Sequence, residues 1–204
     1  MREMKLGSFV EDLEKEADYI LDDFSVLSHG TRVLLLLKRA KEGGHNKEYK
    51  RRRAWEVVHD KEQLRRALVK LLILQKTLGT DERIYMSVSP RDIRKAEMDF
   101  KETMLRSDFG NDENKRFFYE HFEEKWVSSL MSSNPPKGEM LFILDIDTSD
   151  NGKALSWCAE NNVEIVKSYR TKNGWHIIVK PFNQSLFPKK IGEVKKDGLL
   201  LLSF

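Results

Sequence analysis

Two consecutive prolines, Pro135 and Pro136, follow Ser132, Ser133 and Asn134 and divide the chain into stretches of different hydrophobic rhythm. Tandem prolines stop a helix and force the preceding residue into extended backbone, so whatever forms upstream must end there and an extended segment must begin. We place a boundary at this joint, giving an N-terminal lobe over residues 1–136 and a C-terminal lobe over residues 137–204. Upstream, Phe9, Leu13, Ala17, Tyr19 and Ile20 repeat as on a helix over residues 9–21, and residues 32–37 form a compact apolar run suited to a buried strand. Asp60 is placed to cap a long helix to about Leu78, with Leu64, Ala67, Leu68, Leu71, Leu72 and Leu78 on its apolar side. A second strand is expected over residues 83–88. Ser89 and Pro90 read as the cap and first turn of a helix to about Arg106, and a further helix is expected over residues 113–130.

Downstream of the prolines the pattern turns to short strands. Residues 139–147, 163–169, 175–181 and 199–204 read as strands, with a short helix over residues 152–161 and a turn at Asn173 and Gly174. The fold class is therefore α/β (α+β): an N-terminal α/β layer with extra helices, fused to a small C-terminal sheet containing all four late strands.

Composition narrows the function classes. The chain has 204 residues and no apolar run approaching the roughly 18–20 residues that cross a bilayer, and residues 1–9 carry charges where a signal peptide needs an apolar stretch. A soluble, intracellular protein with no membrane partner is expected. The single cysteine, Cys158, excludes an intramolecular disulfide and a Cys-rich zinc site, so any metal would be held by oxygen and imidazole ligands. The net charge of +3 conceals a strong asymmetry: residues 1–30 carry a net −5, residues 31–76 a net +9. In the basic segment, Lys47, Lys50, Arg51, Arg52 and Arg53 surround Tyr49 and precede Trp55, a mixture suited to nucleic-acid phosphates with an aromatic platform nearby. The plainer alternatives are a solvated basic face and a Trp55 that packs the start of the long helix.

The sharpest chemical signal is Phe142, Ile143, Leu144, Asp145, Ile146, Asp147. Residues two apart share a strand face, so Asp145 and Asp147 point one way while Phe142, Leu144 and Ile146 pack the other. Two adjacent carboxylates repel unless a cation lies between them, and a divalent ion shared with a polyphosphate is a common solution. The alternative is that they only end the strand, with Asp150 capping the next helix. One hairpin later, strand alternation sets His176, Ile178 and Lys180 on one face, behind a basic turn carrying Arg170 and Lys172. His29, His45, His59 and His121 share no metal-like spacing, and Met86, Met98 and Met104 read as core.

A strand of the form hydrophobic, hydrophobic, Asp, x, Asp, then a hairpin with a small residue, x, His, then a late Asp, resembles the archaeo-eukaryotic primase superfamily. That resemblance implies an N-terminal (βα)2 unit and an RRM-like catalytic sheet. It implies that Asp145, Asp147 and Asp197 are catalytic metal ligands for Mg2+ or Mn2+, and that His176 touches nucleotide phosphates with Arg170, Lys172 and Ser168 as helpers. The activity implied is nucleotidyl transfer to a nucleic-acid 3′ end, or primer synthesis. The partners implied are nucleoside triphosphates, single-stranded or primed nucleic acid, and a replicative helicase or other replication protein; so compact a version looks most like proteins of phages or mobile elements. Residues 38–66 would form the template groove, with Trp55 or Tyr49 stacking on a base. Arg91 would bind phosphate or pair with Asp92.

Two rival readings stay open. One is a catalytically inactive nucleic-acid- or partner-binding module of the same fold, whose binding falls steeply with salt. The other is an Asp-nucleophile phosphatase of the haloacid dehalogenase-like type, with Asp145 as nucleophile and Asp147 as acid/base, which needs a large parallel sheet.

Overall fold

The computed structural model describes residues 6–38, 52–78, 82–136, 138–171 and 173–203. Helix α1 (Leu6–Asp23) leads through a short 3-10 turn (Ser25–Leu27) to a hairpin of β1 (Arg32–Lys38) and β2 (Arg52–Val58). Then follow α2 (Lys61–Leu78), β3 (Glu82–Ser87), and three helices, α3 (Ile93–Asp108), α4 (Asp112–Glu120) and α5 (Phe122–Ser132). The C-terminal part is β4 (Phe142–Ile146), α6 (Gly152–Glu160), β5 (Ile165–Arg170), β6 (Trp175–Val179), a 3-10 turn (Gln184–Leu186), β7 (Glu193–Lys196) and β8 (Leu199–Ser203). The protein is thus mixed α and β, with two four-stranded sheets in the orders β2-β1-β3-β8 and β5-β6-β4-β7.

Local chemistry explains most boundaries. Gln63 N–H donates to Asp60 Oδ1 at 2.8 Å while the Gln63 side chain accepts from His59 N–H at 2.8 Å, a reciprocal clasp that starts α2. The expected Ser89 cap is corrected: Asp92 caps α3 by accepting from Lys95 N–H, and Ser89 instead brackets Leu141, donating to its carbonyl and accepting from its N–H. One residue thereby ties the entry of α3 to the entry of β4. The helix expected over residues 113–130 is two helices, broken at His121, whose backbone departs from helical values (φ −117°, ψ 26°) and whose ring bonds the Phe117 carbonyl at 2.9 Å. The break sits beside an aromatic cluster in which Phe118, Phe122 and Trp126 all pack on Phe100 at ring distances of 5.0–5.6 Å. Ser133 is extended after α5, one residue ahead of the Asn134 that Pro135 restricts.

The first sheet is covered on both faces. Leu34, Leu36, Ile84, Met86 and Leu200 face α1 and α2, and Val33 and Leu35 face Ala96 of α3 and Val127 and Leu130 of α5. Met98, expected in the core, is 70% exposed on α3. In the second sheet, Phe142, Leu144, Ile146, Ile177 and Val179 pack against Ala154, Trp157 and Cys158 of α6. The other face sends Ile143 and Ile178 into the same core as α1, α2 and the first sheet. That core therefore runs across the proline joint.

Two further differences bear on the site. The last strand was expected in the C-terminal sheet, but β8 pairs antiparallel with β3 of the first sheet. Only Asp197 and Gly198 separate it from β7, with Asp197 in the left-handed region at φ +52°, and this tight turn carries the chain from one sheet to the other. The place expected for β8 is filled by β7, a charged edge strand that pairs with β4. With β7 included, the second sheet has the strand order and antiparallel pairing of a split β-α-β sheet, the RRM-like order, with a 3-10 turn where a second helix would lie.

Candidate functional site

The centre of the second sheet carries polar groups because β4 alternates. Phe142, Leu144 and Ile146 commit one face to the α6 core, so Asp145 emerges on the other, beside Ile143. Across the strands, Tyr169 of β5 is paired with His176 of β6, His176 with Asp145 of β4, and Asp145 with Glu193 of β7. Directly opposed residues in antiparallel strands share a face, so these four side chains form a row across the sheet.

Three members are joined by hydrogen bonds. The Tyr169 hydroxyl lies 2.7 Å from His176 Nδ1, and His176 Nε2 lies 3.1 Å from Asp145 Oδ1. Lys195, two residues after Glu193 on β7, reaches back diagonally to pair with Asp145 Oδ2. Hydrogen bonding from His176, reinforced by Lys195, holds the Asp145 carboxyl well below the usual carboxylate range against the opposing effect of burial. Burial, helped by the negative charges of Asp145 and Asp23, pushes the Tyr169 phenol above its ordinary value. Tyr169 therefore keeps its proton, and its hydroxyl shares a hydrogen bond with Nδ1 while Nε2 faces Asp145. Phe24 fixes the tyrosine from outside, edge-on at 5.2 Å. The result is a rigid Tyr169, His176, Asp145 chain that ends in a half-exposed lysine.

Asp147 is placed differently from its partner. It follows the last residue of β4, is exposed, and lines a groove of about 660 Å³ together with Thr148, Gln184, Ser185, Lys189 and Lys190. The charges that act on Asp145 are those of Lys195 and His176. Two glycines flank this strand end: a Cβ on Gly174 would sit 1.8 Å from the Ile146 carbonyl oxygen, and one on Gly192 would sit 2.5 Å from that of Asp145. The backbone leaves no room for a side chain at either position, so the strand end stays bare.

The remaining expected residues do not gather here. Asp197 is corrected as a third acid of this site: β7 runs antiparallel to β4 with Lys196 opposite Phe142 and Glu193 opposite Asp145, which puts Asp197 beyond the far end of β4. That is four strand residues from Asp145, roughly 13 Å. Its carboxylate instead accepts from Arg91 Nη1 at 2.5 Å, and the same nitrogen reaches the Met131 and Ser133 carbonyls. Arg91 thus pairs with Asp197 and not with Asp92. A second buried guanidinium, Arg32, is pushed down to about 10 by burial and by the charge of Arg91, so the Asp197 carboxylate offsets a locally cationic interior.

Ser168 lies on the α6 face, 3.4 Å from the Asn151 side chain, opposite to Tyr169 and His176. Arg170 is exposed at the end of β5. Lys172, Lys47, Lys50 and Arg51 fall outside the described residues, and Arg52 and Arg53 open β2, an edge strand of the first sheet. Trp55 does not pack the start of α2: it is half-buried against the cluster of Val33, Leu35, Ala96, Val127 and Leu130, on the sheet face away from α2. Sequence reasoning missed Lys195 and Tyr169. Strand alternation could have found Tyr169, two residues before the turn ahead of β6, but Lys195 depends on a strand that composition disguises.

Magnesium and manganese are commonly held by one or two carboxylates, with water and substrate phosphates filling the other positions. Asp145 and Asp147 have that chemistry, Gly174 and Gly192 keep the strand end bare, and the Lys195 ammonium already occupies Asp145 Oδ2 as a cation. Two carboxylates of this kind suit one ion shared with a substrate phosphate, with Asp147 on the groove and Asp145 held by His176 and Lys195. They do not fit a three-acid site, since among the described residues no group of three or more His, Cys, Asp and Glu side chains converges. Among those residues, too, no helix is long and apolar enough to cross a membrane. Comparison with known proteins returns no relative: no family model, no curated protein and no solved structure matches the chain.

Proposed function

We propose that the chain is a metal-dependent nucleotidyltransferase of primase-polymerase type, which adds nucleotides to a nucleic-acid 3′ end or makes primers. The observation that carries this reading is the direct opposition of Asp145 and His176 on the two central strands of an RRM-ordered sheet. A lysine-bearing groove opens beside the same strand end, at Asp147. In this reading Asp145 and Asp147 hold the Mg2+ or Mn2+ ion, which supplies charge neutralisation and Lewis-acid polarisation of a phosphoryl oxygen. Tyr169 fixes the His176 ring, whose Nε2 already faces Asp145 Oδ1, so that a phosphate oxygen bound beside Asp145 can share that donor. Lys189 and Lys190 in the groove give positive charge for a triphosphate or a nucleic-acid backbone. Nucleoside triphosphates and single-stranded or primed nucleic acid are the substrates, and a replication protein such as a helicase is the partner of such an enzyme.

A second reading, a binding module of the same fold without catalysis, is favoured by two specific features. The late acid is committed to Arg91, and a lysine sits on Asp145. The phosphatase reading has no such support, because both neighbours of β4 run antiparallel to it.

Extension of a labelled primer on a template with Mn2+ or Mg2+, using ribo- and deoxynucleotides in turn, separates the first two. The nucleotidyltransferase reading expects extension by the wild type that Asp145→Asn and Asp147→Asn each reduce at least a hundredfold, as for loss of a principal electrostatic group. Salt-sensitive binding to single-stranded DNA with no product from the wild type would leave only the binding module.

A further inference from the structure

Asp145 is the most tightly held carboxylate of the second sheet, and its two oxygens have partners of opposite character. Oδ1 accepts from His176, whose ring is 16% exposed and locked from behind by Tyr169. Oδ2 is held by Lys195, a flexible side chain that is 43% exposed and stands on an edge strand paired only with β4. On β7 the alternation sends Val194 into the α6 core, so Lys195 and Glu193 share the Asp145 face. An ammonium on a four-carbon stem at a sheet edge can leave its partner without disturbing the fold, whereas the histidine cannot. A carboxylate that must later hold a divalent ion cannot keep a lysine on the same oxygen.

We infer that Lys195 is a phosphate-gripping residue that exchanges partners: it balances the charge of Asp145 in the empty site and moves to a phosphate of the incoming nucleoside triphosphate when the ion takes Asp145 Oδ2. This inference rests on the nucleotidyltransferase reading above and names a substrate contact for it. Lys195 competes with the ion when nucleotide is absent and cooperates with nucleotide when the ion is present, so its removal must act with opposite signs on the two binding steps. A purely structural lysine would not produce that reversal.

The test uses the full chain as wild type, Lys195→Met and Lys195→Arg, with folding checked by thermal unfolding. Mn2+ is titrated alone by electron paramagnetic resonance, and a non-hydrolysable nucleoside triphosphate analogue is then titrated at saturating Mn2+ by calorimetry. For Lys195→Met, which keeps an apolar stem of similar length, Mn2+ alone is expected to bind about tenfold tighter and the analogue about tenfold weaker, the scale of one partly screened charge contact. Lys195→Arg should stay within about threefold of wild type in both titrations, since it keeps the charge at this site. Unchanged constants in Lys195→Met, or both constants weakened together, would overturn the role of Lys195 while leaving the nucleotidyltransferase reading intact. Absence of Mn2+ and analogue binding in the wild type and in Lys195→Met alike would overturn both.

Discussion

A methyl group added at position 174 would lie 1.8 Å from the Ile146 carbonyl oxygen and 3.2 Å from the Asp147 Cα, with backbone on both sides and nothing able to yield. Gly174→Ala is therefore expected to cost at least about 1–3 kcal/mol in urea unfolding, the scale of overpacking in a well-filled interior; a stability equal to wild type would mean that β6 does not approach β4 this closely. At the neighbouring acid the expectation concerns pH. The folded-state value of Asp145 is depressed, so its contribution to stability is fully present above the ordinary carboxylate value near 3.8 and is lost as the pH falls toward the depressed one. Asp145→Asn should therefore be less stable than wild type by about 1–3 kcal/mol at about pH 7, with the gap narrowing toward about pH 3. A gap that stays constant in urea unfolding across that range would contradict the ion pairing. Asp145 and His176 were legible in the sequence because a period of two fixes their faces once the strands are recognised. The separation of Asp197 from them was not, since it depends on which direction and register β7 takes.

Among the elements, the readable ones had strong periodicity or definite caps: α2 with its six buried positions and Asp60 start, and the apolar run of β1. Those missed were edge strands. β2 opens with two arginines, and β7 reads Glu, Val, Lys, Lys, because an unpaired sheet edge is commonly guarded by charge, which hides it from a search for apolar alternation. Recognising β2 as a strand also changes the meaning of Trp55, which alternation places with Val57 on the face covered by α3 and α5. Trp55→Ala is expected to lower stability by about 2–4 kcal/mol, as for a large side chain removed from a partly closed site, and to leave affinity for single-stranded DNA unchanged. Full stability with weakened binding would return Trp55 to the role of a stacking platform. The break between α4 and α5 carried no proline or glycine to announce it, since it arises from a histidine whose ring competes for a helix carbonyl.

On the scale of the whole molecule, the proline joint was legible as a change in secondary structure but not as the interior it crosses. Ile143 and Ile178 from the second sheet lie in one core with Leu34, Leu36, Met86 and the helices α1 and α2, and β8 returns from the second sheet to close the first. Truncation after Asp197 is therefore expected to abolish cooperative unfolding of the whole chain, and residues 137–204 alone should lack the near-ultraviolet circular dichroism of a packed interior. Either fragment unfolding as a cooperative unit would show that the halves are independent. The shared interior also bears on the site, because the Tyr169 that orders His176 is braced by Phe24, which follows α1 near the start of the chain.

The most direct test of the central claim is thermal unfolding of wild type and Asp145→Asn/Asp147→Asn with Mn2+, with and without each nucleoside triphosphate. A ligand present at about 100 times its dissociation constant stabilises the folded state by roughly 2.7 kcal/mol, a readily resolved shift in Tm. The account predicts a triphosphate-induced rise in Tm that requires Mn2+ in the wild type and is absent from the double variant. A wild type whose Tm is unmoved by any triphosphate with Mn2+, while single-stranded DNA still raises it, would contradict the claim that Asp145 and Asp147 form a nucleotidyl-transfer site.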